Sequence, residues 1–205
     1  MMRVGLIFEC GRDGADGQVC RYFLEKLTPG VEIVSQYMDV KTNLLEDCGL
    51  VASLLVNSCD KVVIIWDLYP AWREKHIKPC RKNDRQKIFS SLQSSNVPLN
   101  KVALVCIEEE LEAWLLADTR AIRSFIASCK HPHRVGRLTN YKDPERIRKP
   151  KTCLTKIFNQ ELGAHRCYED LRDAIKIAKA MPDFNRLKRS CTFRRFAEKA
   201  VGIRL

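Results

Sequence analysis

The fold of this chain is decided by residues 61–67, which read KVVIIWD. Five consecutive apolar residues, four of them β-branched, predict a strand, and no other stretch predicted as a strand is as strongly apolar. The stretch ends at Asp67, so an acidic side chain stands where the strand ends. In an open α/β sheet ligands bind at the carboxyl ends of the strands, which makes Asp67 a candidate for a functional site.

Strands and helices alternate on both sides of this stretch. Apolar runs predict further strands at 3–8, 31–36 and 101–107. Amphipathic patterns predict helices at 18–27, 44–56 and 81–94, and one that begins in the glutamates at 108–112 and ends at Ala117. Such alternation predicts an α/β fold with a mainly parallel four-stranded sheet and helices on both faces.

The chain beyond Asp118 has a different pattern. No further strand is predicted there, and helices are expected from Asp118 or Thr119 to about 128, then at 151–162, 168–180 and 191–201. A basic stretch with several prolines, 130–149, separates the first two of them. We therefore divide the chain into an α/β core, residues 1–118, and a basic, mainly helical extension, residues 119–205, that packs on the core.

The core and the extension differ in charge. Residues 1–118 contain 14 Lys and Arg against 17 Asp and Glu, whereas residues 119–205 contain 22 against 8. The net charge of +11 therefore comes from the extension, which alone carries +14. A basic surface attached to an acidic half suits an enzyme that acts on a polyanion such as a nucleic acid. The alternative is that this charge binds no polyanion and only keeps the lysine-rich helices well solvated.

Acidic residues recur where the predicted strands end. Glu9 follows the first strand, and the glutamates at 108–110 and Glu112 follow the fourth. Because the ends of parallel strands share one edge of the sheet, these carboxylates are expected to meet Asp67 in one site for a divalent metal. Plainer interpretations stay open: Glu9 solvates a turn, Asp67 caps a loop, and the glutamates interact with a helix dipole.

The turn after the first strand, residues 11–17, reads GRDGADG. It matches neither the G-x-G-x-x-G pattern of a dinucleotide fold nor the phosphate loop of nucleotide hydrolases. Its carboxylates, Asp13 and Asp16, would repel a pyrophosphate but suit a cation. We therefore predict that this turn contributes to metal binding.

Three stretches resemble a known family. They read IFECGRD at 7–13, DLY at 67–69 and ELEAWLLAD at 110–118, and the last is the most specific. They resemble the Toprim-like family, which has the topoisomerase-primase fold, in a branch of single-domain proteins related to the nuclease domain of overcoming-lysogenization-defect (OLD) enzymes. The resemblance extends to residues 144–145, 150–151 and 191–196 and so covers most of the chain.

The resemblance implies a site for Mg²⁺ or Mn²⁺. Its expected metal ligands are Glu9, Asp13, Asp67, Glu110 and Glu112. Two positions depart from the wider family. Tyr69 stands in place of a second aspartate and Cys10 in place of a glycine, which leaves the number of bound metals open.

A metal held in this way implies phosphodiester chemistry. Magnesium prefers oxygen ligands and keeps several waters, so roughly two to four carboxylates and a substrate phosphate are enough to bind it. The expected reaction is hydrolysis of phosphodiester bonds in DNA or RNA, with Glu9, Asp67 and Lys151 as catalytic residues. Lys151, and after it Arg12, is expected to neutralise charge in the transition state. The cations expected to bind nucleic acid are Arg12, Arg186, Lys188, Arg189, Arg194 and Arg195.

The resemblance also implies a partner and a context. Many relatives are encoded beside ABC-type ATPases and take part in defence against phage, so an ATPase partner is expected. Two other functions stay open. One is a non-catalytic subunit for nucleic-acid binding or assembly, with a degenerate acidic site, and the other is a phosphoryl-transfer enzyme that acts on small nucleotides.

The sequence also predicts a compartment. The longest apolar runs, 62–66 and 102–107, are far shorter than the roughly 20 residues of a membrane-spanning helix. The first residues lack the apolar core of a signal peptide. Ten cysteines occur without a Cys-x-x-Cys pair, which indicates reduced thiols rather than a zinc site or a disulfide framework. A cytoplasmic protein without membrane association is expected, and no oligomeric state is predicted.

Overall fold

The computed structural model describes residues 1–68, 78–129, 135–163 and 166–205, so Tyr69 lies outside the described residues. Within these ranges four strands form one parallel sheet: β1 (Arg3–Phe8), β2 (Glu32–Tyr37), β3 (Lys61–Asp67) and β4 (Val102–Ile107). Their order in the sheet is β2-β1-β3-β4, so β1 and β3 are central and β4 is an edge. The predicted α/β fold with a parallel four-stranded sheet is confirmed.

The helices follow the predicted alternation. In the core they are α1 (Ala15–Leu27), α2 (Lys41–Leu55), α3 (Arg81–Ser94) and α4 (Glu112–Ala117). In the extension they are α5 (Thr119–Cys129), α6 (Pro150–Leu162), α7 (Asp170–Lys179) and α8 (Cys191–Val201). The bounds of β1, α3 and α8 are those predicted. In the part of the chain that the structure describes, none of the helices is both long and apolar enough to cross a membrane.

Parallel pairing aligns the carboxyl ends of the strands. Phe8 of β1 lies beside Tyr37 of β2 and Ile65 of β3, and Asp67 of β3 lies beside Ile107 of β4. The chain therefore leaves all four strands at one edge of the sheet. The carboxylates that follow the first, third and fourth strands start from this shared edge.

Helices cover both faces of the sheet, and β3 contributes to the core on each side. Val63 and Ile65 belong to a core shared with α1 and the helices α4 to α8. Ile64 and Trp66 belong to a second core under α2 and α3. Successive residues of a strand point to opposite faces, so the continuous apolar run at 62–66 is explained by burial on both sides.

The extension shares the first of these cores with the sheet. Trp114 of α4 meets Phe193 of α8 edge to face, with ring centroids 5.3 Å apart, and its Nε1 donates a hydrogen bond of 2.8 Å to Thr192 Oγ1. The Glu145 carboxylate accepts hydrogen bonds from the main-chain N–H groups of Cys191 (3.0 Å) and Thr192 (2.7 Å) and so caps α8. Two of the stretches that carry the resemblance, 144–145 and 191–196, therefore meet and anchor the last helix.

Candidate functional site

The turn between β1 and α1 is shaped by its glycines. Gly14 N donates a hydrogen bond of 2.8 Å to Gly11 O, which closes the turn just before α1. A Cβ atom at Gly14 would lie 2.5 Å from Cys10 Sγ, so a side chain has no room there. The compact turn brings Asp13 and Asp16 to the carboxyl edge of the sheet.

A cavity of about 470 Å³ lies at this edge, and we call it the acidic cavity. Seven carboxylate side chains line it: Asp13, Asp16, Asp39, Asp67, Glu110, Glu112 and Asp170. Among the described lining residues only two are cationic, Arg12 and Lys151. The cavity therefore concentrates negative charge in a chain whose net charge is +11. The residues predicted for the site that line it are Arg12, Asp13, Asp67, Glu110, Glu112 and Lys151.

Glu9, predicted with them, lies next to Asp67, whose main-chain N–H donates a hydrogen bond to the Glu9 carboxylate. Two oxygens of this pair, Glu9 Oε2 and Asp67 Oδ1, are buried and accept no hydrogen bond from any residue that the structure describes. Nearly all buried polar atoms in proteins have a hydrogen-bond partner, so these two oxygens need an explanation. A proton or a cation would supply the missing partner.

Burial and crowding raise the pKa of four carboxyl groups here. Desolvation, opposed in part by the nearby Lys41, raises the pKa of Glu9 from 4.5 to about 8. Desolvation also raises the pKa of Glu112 to about 7 and that of Asp16 to about 6, and neighbouring carboxylates add to both shifts. Desolvation and then the charge of Asp16 hold the pKa of Asp67 well above its ordinary value. Carboxyl groups that are buried and crowded together behave in this way when nearby cations offset only part of the cost.

The extension completes the acidic cavity through α6 and α7. Lys151, in the first turn of α6, donates its main-chain N–H to Glu110 Oε2 at 3.1 Å and its Nζ–H to Asp170 Oδ2 at 2.6 Å. The Tyr168 hydroxyl donates a hydrogen bond of 3.0 Å to Glu112 Oε1. Each of the two glutamates thus uses one oxygen for a contact with the extension. Residues from both parts of the chain therefore form one site.

The glutamates after β4 take different places. Glu110 and Glu112 line the acidic cavity, whereas Glu108 Oε1 accepts a hydrogen bond of 2.8 Å from Arg81 Nη1 of α3. Glu109 has a φ of +63°, in the left-handed region that a non-glycine residue seldom adopts. This turn of the backbone separates side chains that are adjacent in the sequence.

A buried lysine that the sequence did not indicate lies next to the site. Lys41, the first residue of α2, donates a hydrogen bond of 2.7 Å from Nζ to the main-chain carbonyl of Asp67. Its ammonium also forms a 3.0 Å salt bridge with Asp84 of α3, which accepts a hydrogen bond of 3.1 Å from Trp66 Nε1. These contacts hold the end of β3 from the face of the sheet that α2 and α3 cover. Local sequence carries no signal for Lys41, because its burial depends on tertiary packing.

Two further lining carboxylates, Asp39 and Asp170, were not predicted for the site. Asp39 follows β2 by two residues. The reasoning that selects Glu9 and Asp67, which takes acidic residues at the ends of strands as site candidates, therefore also applies to Asp39. Asp170 begins α7 and reaches the cavity because α7 packs against α1. No local pattern in the sequence indicates that contact.

The cations predicted to bind nucleic acid lie elsewhere, apart from Arg12. Of the described residues that line the acidic cavity, none belongs to the set Arg186, Lys188, Arg189, Arg194 and Arg195. Arg186 Nη1 lies 3.5 Å from Oδ1 of the buried Asp118, and Arg189 Nη1 donates a hydrogen bond of 2.9 Å to Asn140 Oδ1. Arg195 lines a separate groove. Part of the positive charge therefore has a structural use, and contact of these five residues with nucleic acid stays a prediction.

The donors of the acidic cavity suit a hard divalent cation. All its acidic donors are carboxylate oxygens, and two buried oxygens at its edge lack a partner within the described residues. Within the same described ranges, no group of three or more His, Cys, Asp or Glu side chains is already arranged to hold a metal ion. The residue types therefore fit Mg²⁺ or Mn²⁺, while binding would require the carboxylates to turn toward the ion.

A family model described as Domain of unknown function (DUF4276) matches residues 18–199, so the chain belongs to this family. The matched range includes Asp67, Glu110 and Lys151 and begins after Glu9. No curated protein and no solved structure matches the chain. The family description states no activity, so the resemblance to Toprim-like nucleases stays a prediction.

Proposed function

We propose that this DUF4276 protein is a divalent-cation-dependent nuclease that hydrolyses phosphodiester bonds in DNA or RNA. One observation carries the proposal. The buried oxygens Glu9 Oε2 and Asp67 Oδ1 have no hydrogen-bond partner in the described part of the chain, and they adjoin a cavity lined by seven carboxylates. Buried carboxylates without compensation are costly, and a bound cation removes that cost.

Four carboxylates would hold the ion: Glu9, Asp67, Glu110 and Glu112. When bound, the ion supplies a Lewis acid that polarises a phosphoryl oxygen and lowers the pKa of a water molecule. The hydrogen bonds from Lys151 N and the Tyr168 hydroxyl orient the two glutamates and leave each a second oxygen for the site. Such contacts behind metal ligands fix their direction.

Two cations of the cavity wall would act on the phosphate. Lys151 Nζ is held by Asp170 at 2.6 Å, so its charge has a fixed place at the cavity. A fixed positive charge offsets the negative charge that develops as the phosphodiester bond breaks. Arg12 lies exposed on the rim, where its guanidinium suits a flanking phosphate.

Purified full-length protein is incubated with plasmid DNA, single-stranded DNA and RNA, each with Mg²⁺, with Mn²⁺ or with EDTA. We expect cleavage of at least one substrate, and only with a cation. Glu9→Gln and Asp67→Asn should lower the rate more than about 100-fold. Mutation of a residue that only supports a metal ligand lowers metal affinity or activity by up to about 100-fold, and Glu9 and Asp67 are proposed as ligands themselves. The matched control is Glu108→Gln, which removes a strand-end carboxylate paired with Arg81 outside the cavity and should keep the wild-type rate.

Other outcomes would contradict the proposal in different ways. Equal cutting by the wild type and both site variants would identify a contaminant. Binding of nucleic acid without cleavage under any condition would favour a non-catalytic binding subunit. Isothermal titration calorimetry with Mg²⁺ and Mn²⁺ tests the metal separately, and a wild type that binds neither ion would remove the basis of the proposal.

A neighbouring cavity favours a small nucleotide as the second candidate substrate. This cavity has a volume of about 660 Å³ and shares Arg12, Asp13 and Asp39 with the acidic cavity. Tyr37 and Gln36 of β2 also line it and offer a ring and an amide to a nucleobase. The same assay therefore includes nucleoside triphosphates and dinucleotides. Their hydrolysis without cleavage of polymers would favour a phosphoryl-transfer enzyme.

The ABC-type ATPase partner and the role in phage defence stay predictions that rest on the resemblance alone. Purification of the tagged full-length chain from its native cells tests the partner. Recovery of a protein with ATPase motifs would support it. Repeated recovery of the chain alone would count against it and would leave the nuclease proposal unchanged.

A further inference from the structure

A second groove, of about 520 Å³, runs along the edge strand β4 between α3 and α8, and we call it the β4 groove. Three consecutive residues of the strand line it: Val102, Ala103 and Leu104. Successive side chains of a strand point to opposite faces of the sheet. A groove lined by three consecutive residues therefore lies along the edge of the strand and not on one face of the sheet. In the described ranges no strand pairs with this edge. The Val102 N–H donates a hydrogen bond to Leu99 O, and the outward N–H and C=O groups farther along β4 are left for a partner.

The β4 groove is strongly cationic. Among the described residues its lining includes no acidic side chain and five cationic ones: Lys61, Arg81, Arg85, Arg195 and Lys199. Residues 81 and 85 of α3 and residues 195 and 199 of α8 are four apart, so each pair shares one helix face. Arg81 is bound to Glu108 at 2.8 Å, and the other four cations form no salt bridge with any residue that the structure describes.

The β4 groove is distinct from the acidic cavity. Lys61 and Asp67 are the first and last residues of β3, so along the strand they are about 20 Å apart. No residue in the described lining is shared by the two. The groove therefore does not belong to the proposed metal site, and its occupant does not have to be the substrate.

We infer that the β4 groove binds an extended acidic segment of a partner protein, which adds a fifth strand beside β4. Main-chain hydrogen bonds from the strand edge hold the peptide backbone, and the cations on both walls pair with its Asp and Glu side chains. Phe89 and Leu99 also line the groove and receive apolar side chains that alternate with the acidic ones.

Two other occupants fit less well. A second copy of this chain, paired through its own β4 edge, would bring the five cations of each copy together, and facing like charges are destabilising. A nucleic-acid strand would satisfy the cations, but it lacks the regular N–H and C=O groups that pair with a strand edge. The inference does not depend on the proposed nuclease activity.

The test uses a fluorescent peptide of about ten residues with alternating Glu and Val, a length typical of a long strand. Its binding to the full-length protein is followed by fluorescence anisotropy. A matched peptide with N-methyl groups on alternate main-chain nitrogens, prepared in both registers, keeps the charge and blocks strand pairing. The Glu-Val peptide is expected to bind, and the register that blocks pairing is expected to bind at least about 10-fold more weakly.

Variants test the walls of the groove. Arg195→Glu with Lys199→Glu reverses the charge of the α8 wall and is expected to weaken peptide binding at least about 10-fold. Lys156→Glu with Lys176→Glu makes the same change in net charge at exposed positions outside the groove and should leave the affinity unchanged. Arg85→Glu reverses charge on the α3 wall and replaces the first double variant if that protein does not fold.

Three results would overturn the inference. Equal affinity for both N-methylated peptides and the unmodified one would exclude strand pairing. Tighter binding of a single-stranded oligonucleotide, lost in the α8 variant, would assign the groove to nucleic acid. Absence of binding by any probe would mean that the cations only protect the edge from aggregation. Glu9→Gln and Asp67→Asn should bind the peptide like wild type, so failure of the nuclease proposal leaves this test intact.

Discussion

Two groups of carboxylates in this chain have opposite surroundings. Asp173 of α7 is fully buried, and its carboxylate accepts hydrogen bonds from Arg166, Arg172 and the main-chain N–H of Glu169, all within 3.3 Å. The acidic cavity instead combines seven carboxylates with two cations among its described lining residues. There, Asp67 Oδ1 is buried without a partner in the described part of the chain.

The difference separates carboxylates that stabilise the free protein from carboxylates that serve a ligand. A buried carboxylate between guanidinium groups is compensated within the fold. Uncompensated carboxylates lower the stability of the free protein until a proton or a cation binds. The +14 charge of the extension is thus partly used internally, as the 2.7 Å salt bridge between Arg120 and the buried Asp118 also shows.

The largest effect is expected from removing a compensated carboxylate. Asp173→Asn leaves two arginines without their partner and should lower the free energy of unfolding by about 3 kcal/mol. This is the low end for a buried pair, because the Arg172 side chain is 36% exposed. The melting temperature should fall by about 6–12 °C, whereas Asp67→Asn should leave it unchanged or raised. Calorimetry in EDTA measures both variants, and a larger fall for Asp67→Asn would break the comparison.

Cation binding gives the next largest effect. An ion at about 100 times its Kd stabilises the folded state by about 2.7 kcal/mol, so Mg²⁺ should raise the wild-type melting temperature by about 5–10 °C. Asp67→Asn should lose most of this shift. Asp173→Asn and Glu108→Gln should keep it, because neither side chain lines the cavity. The same shift in all four proteins would place the ion elsewhere.

The sequence predicts the elements of this fold because apolar periodicity is a local property. It is less informative about where α1 and α2 begin, which is three residues earlier than predicted. Both helices start at buried residues, Ala15 and Lys41, and their burial comes from tertiary contacts. A polar or small residue at such a position carries no apolar signal, so the pattern misses the first turn.

The site is predictable only where chain position implies spatial position. Glu9 and Asp67 were found because the ends of parallel strands must share one edge of the sheet. Asp170 lines the same cavity from the extension and Tyr168 contacts its Glu112, both through helix packing that no local pattern reveals. Contact of Arg186 with nucleic acid stays a prediction, whereas its ion pair with Asp118, 68 positions earlier in the chain, has no local signal in the sequence.

A smaller effect is expected from pH. The pKa of Glu9, about 8 in the folded protein against an ordinary value of 4.5, means that the folded state binds more protons than the unfolded state between these values. Stability in EDTA should therefore fall as the pH rises from about 5 to about 8. Glu9→Gln removes this contribution and should raise the melting temperature at pH 8 by about 2–4 °C, which corresponds to about 1 kcal/mol.

Comparison of the two pH curves subtracts the groups that both proteins share, among them the four histidines and the carboxyl groups of Asp16 and Glu112. The difference that is left reports Glu9 together with its effect on the neighbouring Asp67. The wild-type and Glu9→Gln curves should converge near pH 5 and separate toward pH 8. Parallel curves would mean that Glu9 titrates as a solvated carboxyl. The argument for uncompensated carboxylates at the acidic cavity would then rest on Asp67 without Glu9.

The smallest effect is expected from Tyr168, which contacts the acidic cavity through Glu112. Tyr168→Phe removes the 3.0 Å hydrogen bond to Glu112 Oε1 and should lower stability by about 0.5 kcal/mol, or about 1–2 °C. Loss of a group that orients a metal ligand should also weaken Mg²⁺ affinity by about 10-fold, with cleavage restored at higher cation concentration. Titration calorimetry and the cleavage assay measure these two consequences.

Tyr141→Phe is the matched control for this change. It removes a tyrosine hydroxyl from the same extension, where the oxygen lies 3.2 Å from Cys153 Sγ and neither residue lines the acidic cavity. Mg²⁺ affinity should stay at the wild-type value in this variant. If it fell as far as in Tyr168→Phe, the loss would reflect a general loosening of the extension. Glu112 would then not be a ligand oriented by the extension, and the site would rest on the strand ends alone.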